Sequence, residues 1–185
     1  MYFPNRPKPA IVLDFNRKIF VKENVLGEDV CNDLVDFGNS HVSKGVNKYP
    51  GQFSVSFHSC LLPLDHPAHQ ALQSAWNEVH DFYNIDFDFV EPYELKRYTA
   101  NDFFGKHNDN YYGLDINQDR KITMVVQLTD ITEYDKGELT VLNSTFKINK
   151  GSIVCFPSYF PHAVNKITSG TRWSLIGWAW GPYWK

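Results

Sequence analysis

Beyond residue 90 the apolar residues of this chain alternate in short runs, and that feature narrows the fold more than any other. Within "RKITMVVQLTD", Ile122, Met124, Val126 and Leu128 alternate with Thr123, Val125, Gln127 and Thr129, the two-residue period of a strand. "GELTVL", "STFKIN", "GSIVCF" and "GTRWSLIGWAW" follow as further β-rich runs bounded by Gly, Asn or Pro. Regularly spaced short strands predict a sandwich or a barrel.

Ahead of residue 90 the spacing is helical. "EDVCNDLVDFG" sets Val30, Leu34 and Phe37 on one face, with Gly38 placed to stop the helix. "DHPAHQALQSAWNEVHDFY" does the same with Leu72, Trp76, Val79 and Tyr83, after a proline near the first turn. The predicted fold is mainly β with flanking α: two N-terminal helices, then a jelly roll of about eight strands, a double-stranded β-helix of cupin-like form. With 185 residues, 43% of them hydrophobic, one domain is expected. Residues 1–90 form its helical lead-in and 91–185 its core.

Charge excludes some partners. The 21 acidic and 18 basic residues leave a formal charge of −3, with no long basic run to advertise a nucleic-acid or anionic-membrane surface. The start, "MYFPNRPKPAIVLDF", is broken by prolines and charges where a signal peptide is apolar, and no segment approaches the ~18 apolar residues of a membrane span. Cys31, Cys60 and Cys155 form no C-x-x-C pair, which suits a reducing cytoplasm and suggests neither a disulfide framework nor a thiolate metal site.

The stretch "GKHNDNYYG" carries the chemistry. On an extended segment His107 and Asp109 share a face, and an imidazole with a carboxylate suits a borderline divalent metal. Alone, the pair reads more readily as a polar turn. One further histidine would complete the two-histidine, one-carboxylate set of non-haem Fe(II) oxygenases. His66 and His69 sit three apart near a helix start, where capping explains them, and His41, His58 and His80 lack partners in sequence. His162 differs: a Pro-bounded turn precedes it, and a short hairpin leads to Arg172, 172 − 162 = 10 residues on. A guanidinium returned to a metal in this way suggests an anionic cosubstrate, since it grips a carboxylate with two parallel hydrogen bonds.

Residues 93 to 180 resemble the 2-oxoglutarate and Fe(II)-dependent oxygenases of the prolyl 4-hydroxylase type, including the bacterial PKHD-type hydroxylases. The blocks that carry the resemblance are "RYTANDFFGKHNDN", "RKITMVVQLTD", "DKGELTV", "KINKGSIVCFPSYFPHAV" and "GTRWSLIGW", in the family's order. Two positions depart from it: Asn101 and Lys136 stand where relatives carry glycine, so the turns there are expected to differ locally.

The resemblance implies that His107, Asp109 and His162 hold iron and that Arg172 anchors the distal carboxylate of 2-oxoglutarate. It puts Tyr98 in the cosubstrate pocket and Gln127 at a further polar contact to that carboxylate. The implied reaction takes Fe(II), 2-oxoglutarate and O2, with ascorbate in support, and hydroxylates a C–H bond with release of succinate and CO2. Asp109 argues for hydroxylation, because halogenating relatives have a small residue there. Nucleic-acid demethylating relatives carry a second arginine six positions after the first; here that position is Trp178. The expected substrate is a peptidyl proline or other protein residue, or a free amino acid or small metabolite. Tyr111 and Tyr112, in a Gly-containing loop able to close over the site, are candidate substrate contacts, as is Trp178, which reads more readily as core. Two other classes remain open: a jelly-roll binding module and a different metal enzyme on a cupin-like barrel.

Overall fold

A computed structural model describes residues 19–44, 55–110 and 118–182. The elements run in the order Phe20–Lys22 (β1), Glu28–His41 (α1), Ser43–Lys44 (β2), Val55–Ser56 (β3), His58–Leu61 (β4), Ala68–Ala71 (α2), Gln73–Tyr83 (α3), Phe89–Val90 (β5) and Glu94–Tyr98 (β6). They continue with Phe103–His107 (β7), Gln118–Gln127 (β8), Tyr134–Lys136 (β9), Leu139–Val141 (β10), Ser144–Phe146 (β11), Ile153–Pro157 (β12), His162–Val164 (β13), Ile167–Gly170 (β14) and Arg172–Pro182 (β15).

The strands assemble into two facing sheets. The larger has the order β1-β12-β8-β15-β6-β4-β2, with β5 also paired to β15, and the smaller the order β11-β10-β13-β7-β3. A separate ribbon joins β14 to β9. This is the expected jelly roll. Its lead-in is less helical than predicted, because β1, β2 and β4 extend the larger sheet and β3 edges the smaller one. Runs of two to four residues carry too little period to separate strand from loop in sequence.

The long central strands are buried on both faces, so neither reads as a simple inside-outside alternation. On β8, Ile122, Met124 and Val126 join Trp173, Leu175 and Ala179 of β15 in a core under the helices. Their neighbours Val125, Ile176 and Trp178 pack into a second core between the sheets. Each fully buried Leu or Ile contributes roughly 1.5–3 kcal/mol relative to exposure. The helices supply Cys31 and Leu34 from α1 and Trp76 and Val79 from α3 to the first core.

Gly38 does not stop α1, which runs on to His41. A Cβ at Gly38 would enter the Trp173 ring, so this glycine serves close approach of helix to sheet. The second predicted helix is two: α2 and α3 meet at Leu72, whose N–H is shared between Ala68 and Gln70 carbonyls. His66 accepts a hydrogen bond from the Ala68 N–H at its Nδ1, the capping role expected of it. The segment after His162 is not a hairpin, since β13 pairs with β7 and β10 while β14 pairs with β9. Cys31, Cys60 and Cys155 are free.

Candidate metal centre and its cavity

Strand pairing brings the three predicted ligands together. His107 ends β7 and His162 begins β13, and the two are register partners. Asp109 lies two residues past β7, held by its N–H on the Ser158 carbonyl at 2.8 Å. His107 Nε2 stands 3.4 Å from Asp109 Oδ1, and His162 Nε2 stands 3.4 Å from Asp109 Oδ2. One ligand atom from each residue lies within 4.8 Å of the others. Nitrogen and oxygen ligands at right angles around a divalent ion lie roughly 3 Å apart, so the spacing fits one ion.

Backbone carbonyls fix both imidazoles. Nδ1 of His107 meets Gly105 O at 2.8 Å and Nδ1 of His162 meets Phe160 O at 3.0 Å. Each Nδ1 therefore carries the proton, which leaves the lone pair on Nε2, the atom facing the carboxylate. Phe104 stacks on His107 with ring centroids 3.8 Å apart and fixes the ring plane. Burial holds the His107 imidazole below its ordinary pKa, against the pull of Asp109, and so favours the neutral form a metal requires.

Asp109 is held from behind. Its Oδ2 accepts from Thr123 Oγ1 at 2.8 Å and from Trp178 Nε1 at 2.8 Å. Thr123 is itself 3.0 Å from Ser158 Oγ. Burial would raise the Asp109 pKa, but His162 and His107 outweigh it and keep the carboxyl well below its usual range. Trp178 is fixed in turn by Arg120, whose guanidinium lies 3.9 Å from the ring centroid. Glu91 takes two hydrogen bonds from Arg120, at 2.5 and 2.8 Å, and one from the Trp180 indole.

The three ligand residues open into a cavity that Tyr98, Arg172, Ser174 and Trp178 also line. Arg172 is 3% exposed, and its Nη1 has no hydrogen-bond partner among the described residues. Its guanidinium sits 5.7 Å from the ring centroid of Tyr98, its register partner on β6. A buried guanidinium without a carboxylate is costly, so the cavity is built to receive an anion from outside. Tyr98 is buried, and burial pushes its hydroxyl pKa up.

The remaining predicted residues divide. Gln127 is not among the cavity-lining side chains; its amide is turned to Thr129 and Tyr134, with Nε2 2.9 Å from Thr129 O. Trp178 lines the cavity, but its polar atom is committed to Asp109. Tyr111 and Tyr112 lie outside the described residues, as do Tyr183 and Trp184. Sequence reading missed Thr123, Ser174 and Lys96. Ser174 is 1% exposed with Oγ unpartnered among the described residues, two residues from Arg172 on the same face. That period-two spacing from the arginine was the signal available for it.

Residues 93–180 match the 2OG-Fe(II) oxygenase superfamily. That match spans just under half of the chain and contains His107, Asp109, His162 and Arg172. The chain is also similar to PKHD-type hydroxylases: it is 37% identical to one from Prochlorococcus marinus over 84 residues, 43% of this chain and 37% of the relative. The matched part is thus well under half of that relative's length. Among solved structures, the viral collagen prolyl hydroxylase of Paramecium Bursaria Chlorella virus-1, as its 2OG complex, superposes with a TM-score of 0.70 at 18% identity, covering 89% of this chain and 96% of the other. A prolyl hydroxylase from Trichoplax adhaerens, in complex with a hypoxia inducible factor peptide fragment, gives 0.63 at 16% identity, covering 89% and 84%. At these identities the structures show a shared fold.

Proposed function

We propose that the protein hydroxylates an unactivated C–H bond with Fe(II), 2-oxoglutarate and O2, releasing succinate and CO2, and that ascorbate supports turnover. One observation carries the reading: a buried His107–Asp109–His162 cluster shares a cavity with Arg172, whose Nη1 has no hydrogen-bond partner among the described residues. A binding module needs neither feature, and a metallohydrolase needs no buried anion anchor.

His107 Nε2, His162 Nε2 and an oxygen of Asp109 would hold the iron from one side. Iron so held supplies oxidation of the keto acid and of the substrate by dioxygen. The chain's own residues do the positioning. Arg172 and the Ser174 hydroxyl receive the distal carboxylate of 2-oxoglutarate, with Tyr98 packed beside them. Thr123 and Trp178 hold the Asp109 carboxylate in one orientation as it exchanges solvent for metal. Phe104 and Phe156 flank the imidazoles, 3.8 and 4.7 Å away by ring centroids, and exclude water there.

The leading substrate is a peptidyl proline or other protein residue, supported by the named relatives; a free amino acid or small metabolite is the second reading. The three free cysteines suit a reducing compartment such as the cytoplasm. Incubation with Fe(II), ascorbate and 2-oxoglutarate should yield succinate, and mass spectrometry over peptide and metabolite pools should find a product heavier by one oxygen. Asp109→Ala is the blank. An Arg172→Ala variant with full activity would refute the cosubstrate assignment.

A further inference from the structure

The cavity contains a second buried cation that the iron and cosubstrate reading does not use. Lys96 is 7% exposed and lines the cavity from the middle of β6, between Glu94 and Tyr98 on the inward face. Lysine is almost never buried to this degree without a reason, because its ammonium gives up hydration that few interiors replace. Its one carboxylate partner among the described residues is Glu94, at 3.3 Å and 22% side-chain exposure. An ammonium has three N–H donors, and a single carboxylate oxygen at that distance engages at most one of them.

The rest of its surroundings are aromatic. Nζ lies 4.9 Å from the ring centroid of Phe57, 4.9 Å from that of Phe104 and 5.6 Å from that of Trp178. These three faces hold a cation in place without consuming its donors. They also locate it. Phe104 stacks on His107 and Trp178 binds Asp109, so the ammonium sits beside the metal ligands. Arg172 stands one inward position away, across from Tyr98, while Lys96 faces Ser174 in register.

We propose that Lys96 is a specificity-determining residue whose ammonium binds a carboxylate on the substrate, next to the carbon that is oxidised. The proposal rests on the oxygenase reading, and it names the substrate class: an organic acid, or a peptide segment presenting a carboxylate. Arg172 and Ser174 serve the cosubstrate, Lys96 serves the substrate, and the partly exposed Glu94 keeps the ammonium neutralised until the substrate's own carboxylate arrives.

The test uses protein loaded with Fe(II) and 2-oxoglutarate under nitrogen, with binding read from tryptophan fluorescence, since Trp178 touches the site. The probes are matched pairs: short aliphatic acids and N-acetyl amino acids against their primary amides, and capped peptides containing Asp or Glu against the same peptides with Asn or Gln. Acids should outbind their amides about tenfold or more in the wild type, as expected for a hydrogen bond to a charged group. Lys96→Met should abolish the preference and Lys96→Arg should keep it. Glu94→Gln, which frees the ammonium and is exposed enough to tolerate the change, should tighten acid binding. Whichever probe family shows the preference identifies the source of the carboxylate. The proposal is overturned if no acid outbinds its amide, if Lys96→Met retains the preference, or if Lys96→Met weakens 2-oxoglutarate instead, which would place Lys96 in the cosubstrate's site. Loss of wild-type succinate formation would sink the oxygenase reading separately, because the fluorescence measurement needs no turnover.

Discussion

Trp178 Nε1 donates a 2.8 Å hydrogen bond to Asp109 Oδ2 across 69 positions of sequence. The bond ties the long central strand of the larger sheet to a candidate metal ligand that stands beyond the end of a strand in the smaller one. Asp109 has no strand of its own to hold it, so its orientation is set by Trp178 and Thr123 together.

Trp178→Phe keeps the ring over which Arg120 lies but removes the indole N–H. Metal affinity, measured by competition against a chelator with Mn(II) as a redox-stable probe, should fall about tenfold or more, as for other partners of metal ligands. The melting temperature of the metal-free protein should change little. Unchanged affinity would mean that Thr123 alone orients the carboxylate.

Arg172→Met should separate binding from stability. Binding of 2-oxoglutarate should weaken about a hundredfold, the loss expected when a buried charged partner is removed. The ligand-free variant should melt no lower than wild type, since it loses an unsatisfied buried cation. Calorimetric titration and a thermal melt check the two halves.

Acidification should act through His69. Burial lowers its pKa from 6.5, with the Pro63 carbonyl opposing and the charge of His66 adding to the shift. Between that lowered value and 6.5 the unfolded chain binds a proton that the folded one refuses, so stability rises with pH across the window and falls as pH drops through it. Melts at pH 7.5 and 5.5 should therefore differ more for wild type than for His69→Gln. An equal difference in both would remove His69 as a contributor.

Lys136→Gly should stabilise the fold by about 0.5–1 kcal/mol, net of the flexibility glycine adds to the unfolded chain. Lys136 has φ 63° and Asn101 has φ 76°. Both positions thus hold a left-handed backbone, asparagine at little strain and lysine at more. A rise in the urea midpoint at constant slope checks the gain.

The sequence made the centre legible because its ligands obey local rules: a two-residue period puts His107 and Asp109 together, and a Pro-bounded turn marks His162. What it hid depends on pairing between distant strands. Lys96 reads as an ordinary charge in "YELKRY" until the rings of Phe57, Phe104 and Trp178 enclose it, and Thr123 reads as the polar side of a strand that proves to have two buried faces. Gln127, which the resemblance put against the cosubstrate, has its amide spent on Thr129 and Tyr134. Gly38 carries the usual mark of a helix end, and only the Trp173 ring shows why it stands inside one.

Because β15 is covered on both sides, its parity is a constraint on descent. One inserted residue between Arg172 and Trp178 would swing either the guanidinium or the indole into the layer beneath the helices, exchanging it with Trp173 or Ala179. A lineage can therefore retune this pocket through β6 and the surrounding loops, while β15 itself must be inherited at fixed length.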